Sequence, residues 1–382
     1  MRKNRFWRVF VFFNLTVSCI WAEFALVFGA QTATDKTPLA PYEVYEAVFG
    51  PSSSREEIQE ALDYRKNGRA KKLVITLRGN IAIDGSLYVY SDTTINAYGA
   101  TITQTKKKAS LLASATAARF GSYGYKTGYQ MTKNIKVNGG VWNGAKKAGQ
   151  IIHFIHASNI TLQGMTVINC TPTGHLISLE GVNTALVSGC VLTGHGEMGT
   201  SKEALHLDIV HNKETTPGLR MEEYDDLACV NITIRGNTIT NVPNAIGSHG
   251  AVNGVYHKNI VISNNHIANI GSIGIKLFNY KNTSVRHNTI KNADTGIKAY
   301  TYFSDKKGGN KVNGYYSPNY GTRTEALPAG RNYRIEISGN VIQNTREGSA
   351  ICLQAYEKRP MKSVSITGNS ISGSGCRGIL LN

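Results

Sequence analysis

The stretch Asn231-Ile-Thr-Ile-Arg-Gly-Asn-Thr-Ile239 decides the fold, because close copies of it follow along the chain. The copies of equal length are residues 259–267, 282–290, 334–342 and 363–371. With the shorter versions that precede it, the phrase begins at Asn134, Asn159, Asn183, Asn231, Asn259, Asn282, Arg334 and Ser363, in steps of 25, 24, 48, 28, 23, 52 and 29 residues. A period of this size is typical of solenoids, in which each unit stacks on the previous one.

Each unit contains two short alternating strands, a Gly-rich corner and a third strand. Alternation of β-branched apolar residues with polar ones indicates strands rather than helices. These features predict an all-β fold, a right-handed parallel β-helix. The two doubled steps predict single coils with long insertions, near 210–229 and 303–332. One corner of successive units repeats an Asn, where we expect a left-handed backbone and hydrogen bonds between coils; these residues are Asn237, Asn265, Asn288, Asn340 and Asn369.

The pattern resembles the pectate-lyase-like superfamily of right-handed β-helix proteins over residues 54–382. Residues 54–104 look like the entry segment of that superfamily, which begins with an amphipathic helix. Ser54 and Glu57 have the spacing of a helix N-terminal capping box. The resemblance implies that this helix closes the N-terminal end of the stack, and it implies action on carbohydrates. Lyases, hydrolases, epimerases and phage tailspikes share the fold, so the fold alone does not define a reaction.

Residues 1–30 have the composition of a secretory signal. A basic start, with Arg2, Lys3, Arg5 and Arg8, precedes an apolar stretch that ends at Ala30. We interpret residues 1–30 as a signal peptide or N-terminal anchor, residues 31–53 as a linker and residues 54–382 as the β-helix domain. The predicted localisation is secreted or at a bacterial cell surface.

The chain is basic, with 42 Lys and Arg against 25 Asp and Glu and a formal net charge of +17. Such a charge attracts polyanions. The sequence contains no nucleic-acid-binding motif, so we expect a polysaccharide partner, no nucleic acid, and no membrane contact beyond an N-terminal anchor. The six cysteines have no paired spacing, which argues against a disulfide framework and against a zinc site.

The third strand of each unit carries most of the reactive side chains. Alternation along this strand predicts two outward columns. The first column is His153, Ser178, His206, Gly247, Lys276, Lys298 and Cys352, and the second is Ile155, Glu180, Asp208, His249, Phe278, Tyr300 and Gln354. Neighbouring coils lie about 4.8 Å apart, so we expect Glu180 beside Asp208, with their pKa values pushed apart.

The densest stretch is residues 194–208, which reads GHGEMGTSKEALHLD. With residues 222–226 and 247–250, it resembles a subgroup of exported bacterial β-helix proteins that have Lys-Glu-Ala-x-x-x-Asp, Tyr-Asp and His-Ser-Gly-like elements in this order. The resemblance implies a site rather than a particular reaction. Glu203 begins its strand, so alternation fixes its direction less firmly than that of His206. We expect the first insertion to arch over the columns with Tyr224 and Asp225.

The first functional hypothesis is cleavage of an acidic polysaccharide by β-elimination. Lys276 or His249 would be the base, Lys298 would bind the uronate carboxylate, and Tyr224 or Tyr300 would be the acid. The net basicity of the chain favours this lyase, which we place first.

Two other hypotheses stay open. Asp208 and Glu180, with Glu203 nearby and His249 orienting them, would suit a glycoside hydrolase. Alternatively, the columns form a groove for non-catalytic glycan binding. The predicted catalytic residues are Asp208, Glu180, Glu203, His206, His249 and Lys276, and the predicted substrate-binding residues are Lys298, Tyr224, Asp225, Tyr300 and His153.

The sequence demands no cofactor and no particular metal ion. Glu180, Asp208 and Asp225 would be the ligands of a Ca²⁺ site, because Ca²⁺ prefers clustered carboxylates. The chain ends at Asn382 within a third strand. We therefore expect oligomerisation through the C-terminal coil or a truncated gene product.

Overall fold

The structure, a computed structural model, describes residues 40–116, 128–213, 216–220, 223–252, 255–301, 310–312, 315–317, 332–355 and 361–382. The expected signal or anchor at 1–30 lies outside these residues, as does most of the insertion at 303–332. No helix in the described part of the chain has the length and apolarity to cross a membrane.

Three parallel sheets form the coils, and each coil crosses sheets A, B and C in turn. With strands numbered in chain order, sheet A contains β1 (Tyr42–Phe49), β2 (Ala70–Leu77), β5 (Thr93–Asn96), β8 (Thr132–Asn138), β11 (Ala157–Gln163), β14 (Asn183–Ser188), β17 (Val230–Arg235), β21 (His257–Ser263), β24 (Tyr280–Arg286), β29 (Asn332–Ser338) and β32 (Lys362–Thr367). Sheet B contains β3 (Asn80–Ile83), β6 (Thr101–Gln104), β9 (Val141–Asn143), β12 (Thr166–Ile168), β15 (Val191–Thr193), β18 (Thr238–Val242), β22 (His266–Ile270), β25 (Thr289–Lys291), β30 (Val341–Thr345) and β33 (Ser370–Ser374).

Sheet C contains β4 (Leu87–Val89), β7 (Leu112–Ser114), β10 (Gln150–Ile155), β13 (His175–Glu180), β16 (Glu203–Asp208), β19 (Asn244–Gly247), β23 (Ile273–Phe278), β26 (Thr295–Thr301), β31 (Ile351–Ala355) and β34 (Ile379–Leu381). A small antiparallel sheet D contains β20 (Gly250–Ala251), β27 (Asn310–Val312) and β28 (Tyr315–Ser317). The predicted parallel β-helix is therefore confirmed. Association through the C-terminal coil stays a prediction.

The interval 31–53 is not only a linker. Strand β1 pairs in parallel with β2, from Tyr42 opposite Ala70 to Phe49 opposite Leu77. Helix α1 (Arg55–Lys66) interrupts the chain between these two strands, so the repeat period gave no sign of β1. Sheet A thus begins before the predicted domain boundary.

Helix α1 begins with the predicted capping box. The Ser54 hydroxyl accepts from the Glu57 N–H, and the Glu57 carboxylate accepts from the Ser54 N–H. Ile58 and Leu62 join the hydrophobic core that runs through the coils. Burying side chains of this size stabilises the fold by about 1.5–3 kcal/mol each. The helix therefore covers the N-terminal end of that core.

The corner asparagines form the expected ladder. The Asn237 side-chain N–H donates to Asn265 Oδ1 at 2.9 Å, and the same bond continues through Asn288, Asn340 and Asn369 at 2.9–3.0 Å. The expectation of a left-handed backbone at these residues is wrong. Positive φ angles occur instead at the preceding residues, Gly236, Asn264, His287, Gly339 and Gly368. The residue before each ladder Asn makes the turn, so the Asn side chain can bond its neighbour; the first four ladder residues are buried and Asn369 is half-buried.

Excursions leave the coils at one corner, between sheet C and sheet A; one joins β7 to β8, and three more, named the first, second and third excursions, leave further along the chain. They follow β16, β19 and β26, and the chain returns at β17, β21 and β29. The first and third correspond to the predicted insertions. The second is shorter and contributes β20 of sheet D, which pairs with β27 of the third excursion. All three leave from the ends of sheet C strands, where the outward columns lie.

Candidate active site on the outer face of sheet C

The strand pairing confirms the first outward column. His153 pairs with Ser178, Ser178 with His206, and His206 with Gly247. Gly247 pairs with Lys276, and Lys276 with Lys298. Apolar residues on either side of the column residues face the core, except that Ser248 follows Gly247, and this pattern fixed the register from sequence.

Glu180 and Asp208 are direct neighbours on adjacent strands, as predicted. Both are fully buried, with 0% exposure. Burial, opposed by His249 and reinforced by Glu180, raises the pKa of Asp208 to about 7. Burial alone would raise the pKa of Glu180 too, but the charge and hydrogen bond of His153, with Thr216 and Ser178, lower that pKa below its usual value. The expected separation of the two pKa values is confirmed.

The first excursion covers this carboxylate pair. Tyr224 packs on Ile155 and Val210, and its hydroxyl donates to the Thr216 carbonyl at 3.1 Å. His156 Nε2 lies 3.1 Å from Asp225 Oδ1, which ties the excursion to the coil body. Tyr224 and Asp225 therefore hold the cover in place, and the cover shuts both carboxylates off from solvent.

A polar network runs beneath the cover. His153 Nε2 and the Ser178 hydroxyl each lie 2.8 Å from Glu180 Oε1. The Ser178 hydroxyl also lies 3.2 Å from His206 Nδ1, and His206 Nε2 lies 3.3 Å from Asp208 Oδ2. His153 is the member nearest to solvent, with 11% of its side chain exposed.

His249 does not continue the second column, and this expectation is wrong. Strand β19 ends at Gly247, and the second excursion turns His249 back over the sheet. Its ring stacks on His206 with a centroid distance of 4.5 Å, over the place where Gly247 has no side chain. Gly250 lies beside Asp208 instead, since a β-carbon there would be 2.9 Å from Asp208 Oδ1.

Glu203 is the centre of the site. Its carboxylate accepts from His249 Nδ1 and from Lys276 Nζ, both at 2.8 Å. Burial by itself would raise the pKa of Glu203, but the charges of Lys276 and His249 hold it well below the usual value. Glu203 is therefore an ionised, fully buried carboxylate that orients two side chains.

The direction of Glu203 follows from a break in alternation. Ala204 and Leu205 both belong to the hydrophobic core. Two successive inward residues leave Glu203 on the outer side with His206, where strict alternation would have turned it inward.

His175 is a site residue that the sequence analysis missed. It begins β13, and its Nδ1 donates to the Glu203 carbonyl at 2.6 Å. Its ring stacks on His206 with a centroid distance of 3.9 Å. Burial, reinforced by neighbouring histidines, lowers the pKa of both imidazoles well below the usual value, so both are neutral near neutral pH. A sign in the sequence could have found it, because His175 is the first residue of its sheet C strand, as Glu203 is of the next one.

Donor atoms of His175, Glu203, His206 and His249 lie within 4.8 Å of one another, a grouping that metal sites share. The three rings are nearly parallel, with interplanar angles of 6°, 9° and 14°. A metal ion lies near the plane of each imidazole that binds it, so stacked rings cannot share one ion without rotating. Lys276 Nζ also forms an ion pair with the Glu203 carboxylate. These residues, as oriented, do not fit a resident ion, and one carboxylate does not supply the oxygen shell that Ca²⁺ needs.

The column continues beyond Glu203 with cationic and aromatic side chains. Lys276 keeps 9% of its side chain exposed, and Lys298 is half-buried on the next strand. Phe278 and Tyr300 stack with a centroid distance of 4.2 Å, and Lys298 Nζ lies 5.2 Å from the Tyr300 ring centre. The groups that reach the surface here are thus cationic, imidazole or aromatic.

The coil repeat also matches a family model. The model of the right-handed β-helix region matches residues 150–315 and 228–382. The chain belongs to the right-handed β-helix family. No curated protein sequence matches it significantly.

Among solved structures, the fold is similar to the surface adhesin PfbA of Streptococcus pneumoniae, with 15% identity and a TM-score of 0.55 over 87% of this chain and 86% of that one. It is also similar to the tailspike of E. coli bacteriophage HK620 in complex with a pentasaccharide (12%, 0.52, 87% and 57%). A third is the family 28 exopolygalacturonase of Yersinia enterocolitica (11%, 0.50, 86% and 74%). At these identities the likeness establishes the fold.

Proposed function

We propose that this right-handed β-helix protein cleaves an acidic polysaccharide outside the cell, by β-elimination on the outer face of sheet C. The observation that carries the proposal is the contact between His249 Nδ1 and the Glu203 carboxylate at 2.8 Å. An ionised carboxylate only accepts hydrogen bonds, so Nδ1 carries a proton, and the neutral tautomer of this ring is the Nδ1–H form. Nε2 is then left with its lone pair, as a general base requires.

The reaction would use residues at the open end of the network. His249 Nε2 removes the proton from the carbon next to the uronate carboxylate. The released electron pair forms a carbon–carbon double bond, and the glycosidic carbon–oxygen bond breaks. Tyr300 or water protonates the departing oxygen, while Lys276 and Lys298 stabilise the negative charge that grows on the carboxylate.

Burial of the carboxylate pair argues against the hydrolase. A glycosidase needs one carboxyl group to reach the glycosidic oxygen and another to reach the anomeric carbon or its attacking water. Glu180 and Asp208 are fully buried beneath the first excursion, and Glu203 is fully buried by His249 and Lys276. In the proposed lyase, these carboxylates support the imidazoles and do not touch the sugar.

The test is incubation with a panel of acidic and neutral polysaccharides. We expect ultraviolet-absorbing products, together with new reducing ends, on at least one uronate polymer. New reducing ends without the absorbance would identify a hydrolase. Binding without either signal would identify a glycan-binding protein. Either of these two results would overturn the lyase proposal.

A further inference from the structure

Two lysine-rich turns lie next to each other on the corner that precedes sheet C. Lys106, Lys107 and Lys108 lie between β6 and β7, and Lys146 and Lys147 lie between β9 and β10. The Lys108 N–H donates to the Lys147 carbonyl at 2.8 Å, so the turns belong to adjacent coils. We name these five residues the lysine rim.

The rim is held in a defined conformation. Gln104, which is fully buried, donates to the carbonyls of Gly85 and Ser110 at 2.9 and 3.0 Å and accepts from the Lys106 N–H at 2.9 Å. Lys108 and Lys146 have φ angles of 62° and 55°. This left-handed backbone favours Gly or Asn, and other residues adopt it at a cost in free energy. Lysine is therefore not the residue that the turn itself would prefer.

The charges of the rim are available for a partner. In the described ranges, no rim lysine lies within 4 Å of a carboxylate, and all except the half-buried Lys147 are exposed. The first turn lines a depression of about 460 Å³ with Arg55 and the carboxylates Glu56 and Asp84. Glu56 is paired with Arg55 at 2.9 Å, so the net charge of the depression is positive.

The rim lies along the coil axis from the candidate active site. From β7, which follows the first turn, three strand steps in sheet C lead through β10 and β13 to β16, where Glu203 lies. At the strand spacing of a sheet this is about 14 Å. Lys276 and Lys298 continue the cationic row on the far side of Glu203.

We propose that the lysine rim is a remote subsite that binds the carboxylates of an acidic polysaccharide, several sugars away from the bond that is cleaved. This rests on the proposed function for its ligand. The strand step is close to the length of one sugar in an extended chain, so successive uronates would meet successive coils. Binding energy from these remote contacts would hold long chains in register with His249. A nucleic acid would also supply anions, but among the described residues Tyr88 is the single aromatic one that lines the depression with the rim lysines, and successive bases stack on several aromatic side chains.

The experiment measures the binding of labelled fragments by fluorescence polarisation, at low and high salt. The probes are a trisaccharide and a decasaccharide of polygalacturonate and of alginate, and a single-stranded DNA of equal charge. All proteins carry His249→Ala, so that fragments stay intact. The rim variant is Lys106→Gln with Lys107→Gln and Lys108→Gln. The matched control is Lys72→Gln with Lys136→Gln and Lys258→Gln, which removes three exposed charges from sheet A.

We expect the rim variant to bind one of the decasaccharides roughly tenfold more weakly at low salt, with a shallower salt dependence, because charged contacts release counterions. Trisaccharide binding should stay within about twofold, and the control should match the unchanged background. Equal loss in the control, or no binding of either decasaccharide, would overturn the subsite. Tighter binding of the DNA with the same loss would assign the rim to nucleic acid. Because binding is measured without cleavage, a negative result in the lyase assay would not change the interpretation of this binding experiment.

Discussion

The corner ladder and the outer face of sheet C both stack polar side chains coil on coil, with opposite results. In the ladder each coil contributes an Asn, and every amide bonds the next at 2.9–3.0 Å. On sheet C each coil contributes a different ionisable group. There Glu180 Oε2 is buried without a hydrogen-bond partner among the described residues, and His206 Nε2 and Asp208 Oδ2 lie 3.3 Å apart without the geometry of a hydrogen bond. The pKa values of the carboxyl groups shift in both directions.

The difference shows how one scaffold separates stability from chemistry. An amide has a donor and an acceptor, so identical amides satisfy one another without charge. Carboxylates and imidazoles of unlike kinds cannot do so, and perturbed groups of this kind concentrate at functional sites. Breaking the ladder should therefore reduce stability and leave activity unchanged. Breaking the network should reduce activity and change stability less.

Replacing the base should have the largest effect. We expect His249→Ala to lower the rate of unsaturated-product formation roughly 10²–10⁴-fold, because it removes general base catalysis. His266→Ala, an exposed histidine on sheet B, is the control and should keep the unchanged rate. Initial rates measured by ultraviolet absorbance decide the matter. A His249→Ala rate above a tenth of normal would assign the base elsewhere.

Cutting the buried ladder should cost stability. Asn288→Ala removes bonds to Asn340 and Ile262 and leaves the Asn265 amide groups without their acceptor. Each orphaned buried group costs about 1–3 kcal/mol, so we expect a loss of roughly 4 kcal/mol in urea unfolding. Asn259→Gly is the control, because the exposed Asn259 donates to Asn231 Oδ1 at 2.8 Å and has a φ of 57°, and this variant should cost less than about 1 kcal/mol. Similar losses in both variants would contradict the role of burial.

The network should make stability depend on pH, as the ladder does not. Because the pKa of Asp208 is raised to about 7, the folded state holds this proton more tightly than the unfolded chain. Its stabilising effect is complete below the unfolded pKa of about 3.9 and is lost as pH rises to about 7. The free energy of unfolding of Asp208→Asn, measured in urea, should therefore rise by about 3 kcal/mol relative to that of the wild type between pH 5 and pH 8. A constant difference across that interval would show that Asp208 titrates normally.

The smallest effect is expected at Gly247. A β-carbon there would lie 2.4 Å from the Lys276 carbonyl oxygen and 2.7 Å from Lys276 Cβ. Gly247→Ala should displace Lys276, raise the KM for a uronate polymer and cost about 2 kcal/mol of stability. Gly149→Ala is the control, since a β-carbon there would meet no atom of the described residues within 4 Å. An unchanged KM in Gly247→Ala would remove Lys276 from substrate binding.

The fold and most of the column register could be predicted from sequence, because apolar alternation within a fixed period sets which residues face the core. Glu180 with Asp208 and Lys276 with Lys298 were placed correctly for this reason. The rule works only where strands alternate regularly. It missed His175 and left the direction of the Glu203 side chain uncertain. Where two successive residues face inward, as Ala204 and Leu205 do, the residue before them faces outward instead of inward.

The excursions account for the other differences. His249 is the second residue after the end of β19, in the second excursion, so the strand register no longer determines its position. The burial of Glu180 and Asp208 depends on contacts such as those of Tyr224 with Ile155, which join distant parts of the chain. Period and alternation describe neighbours along and across strands, and they contain no information on such loop contacts.

The first, second and third excursions leave from one corner, and the coil closes again without a change of register, as β14 pairs with β17 across the first and β24 with β29 across the third. The length of chain at this corner is thus uncoupled from the geometry of the stack. Loops at this corner can be exchanged, shortened or grafted, and each set of loops changes the residues that surround the same sheet C surface. For evolution and for protein engineering, specificity can diversify at this corner while the scaffold is inherited unaltered.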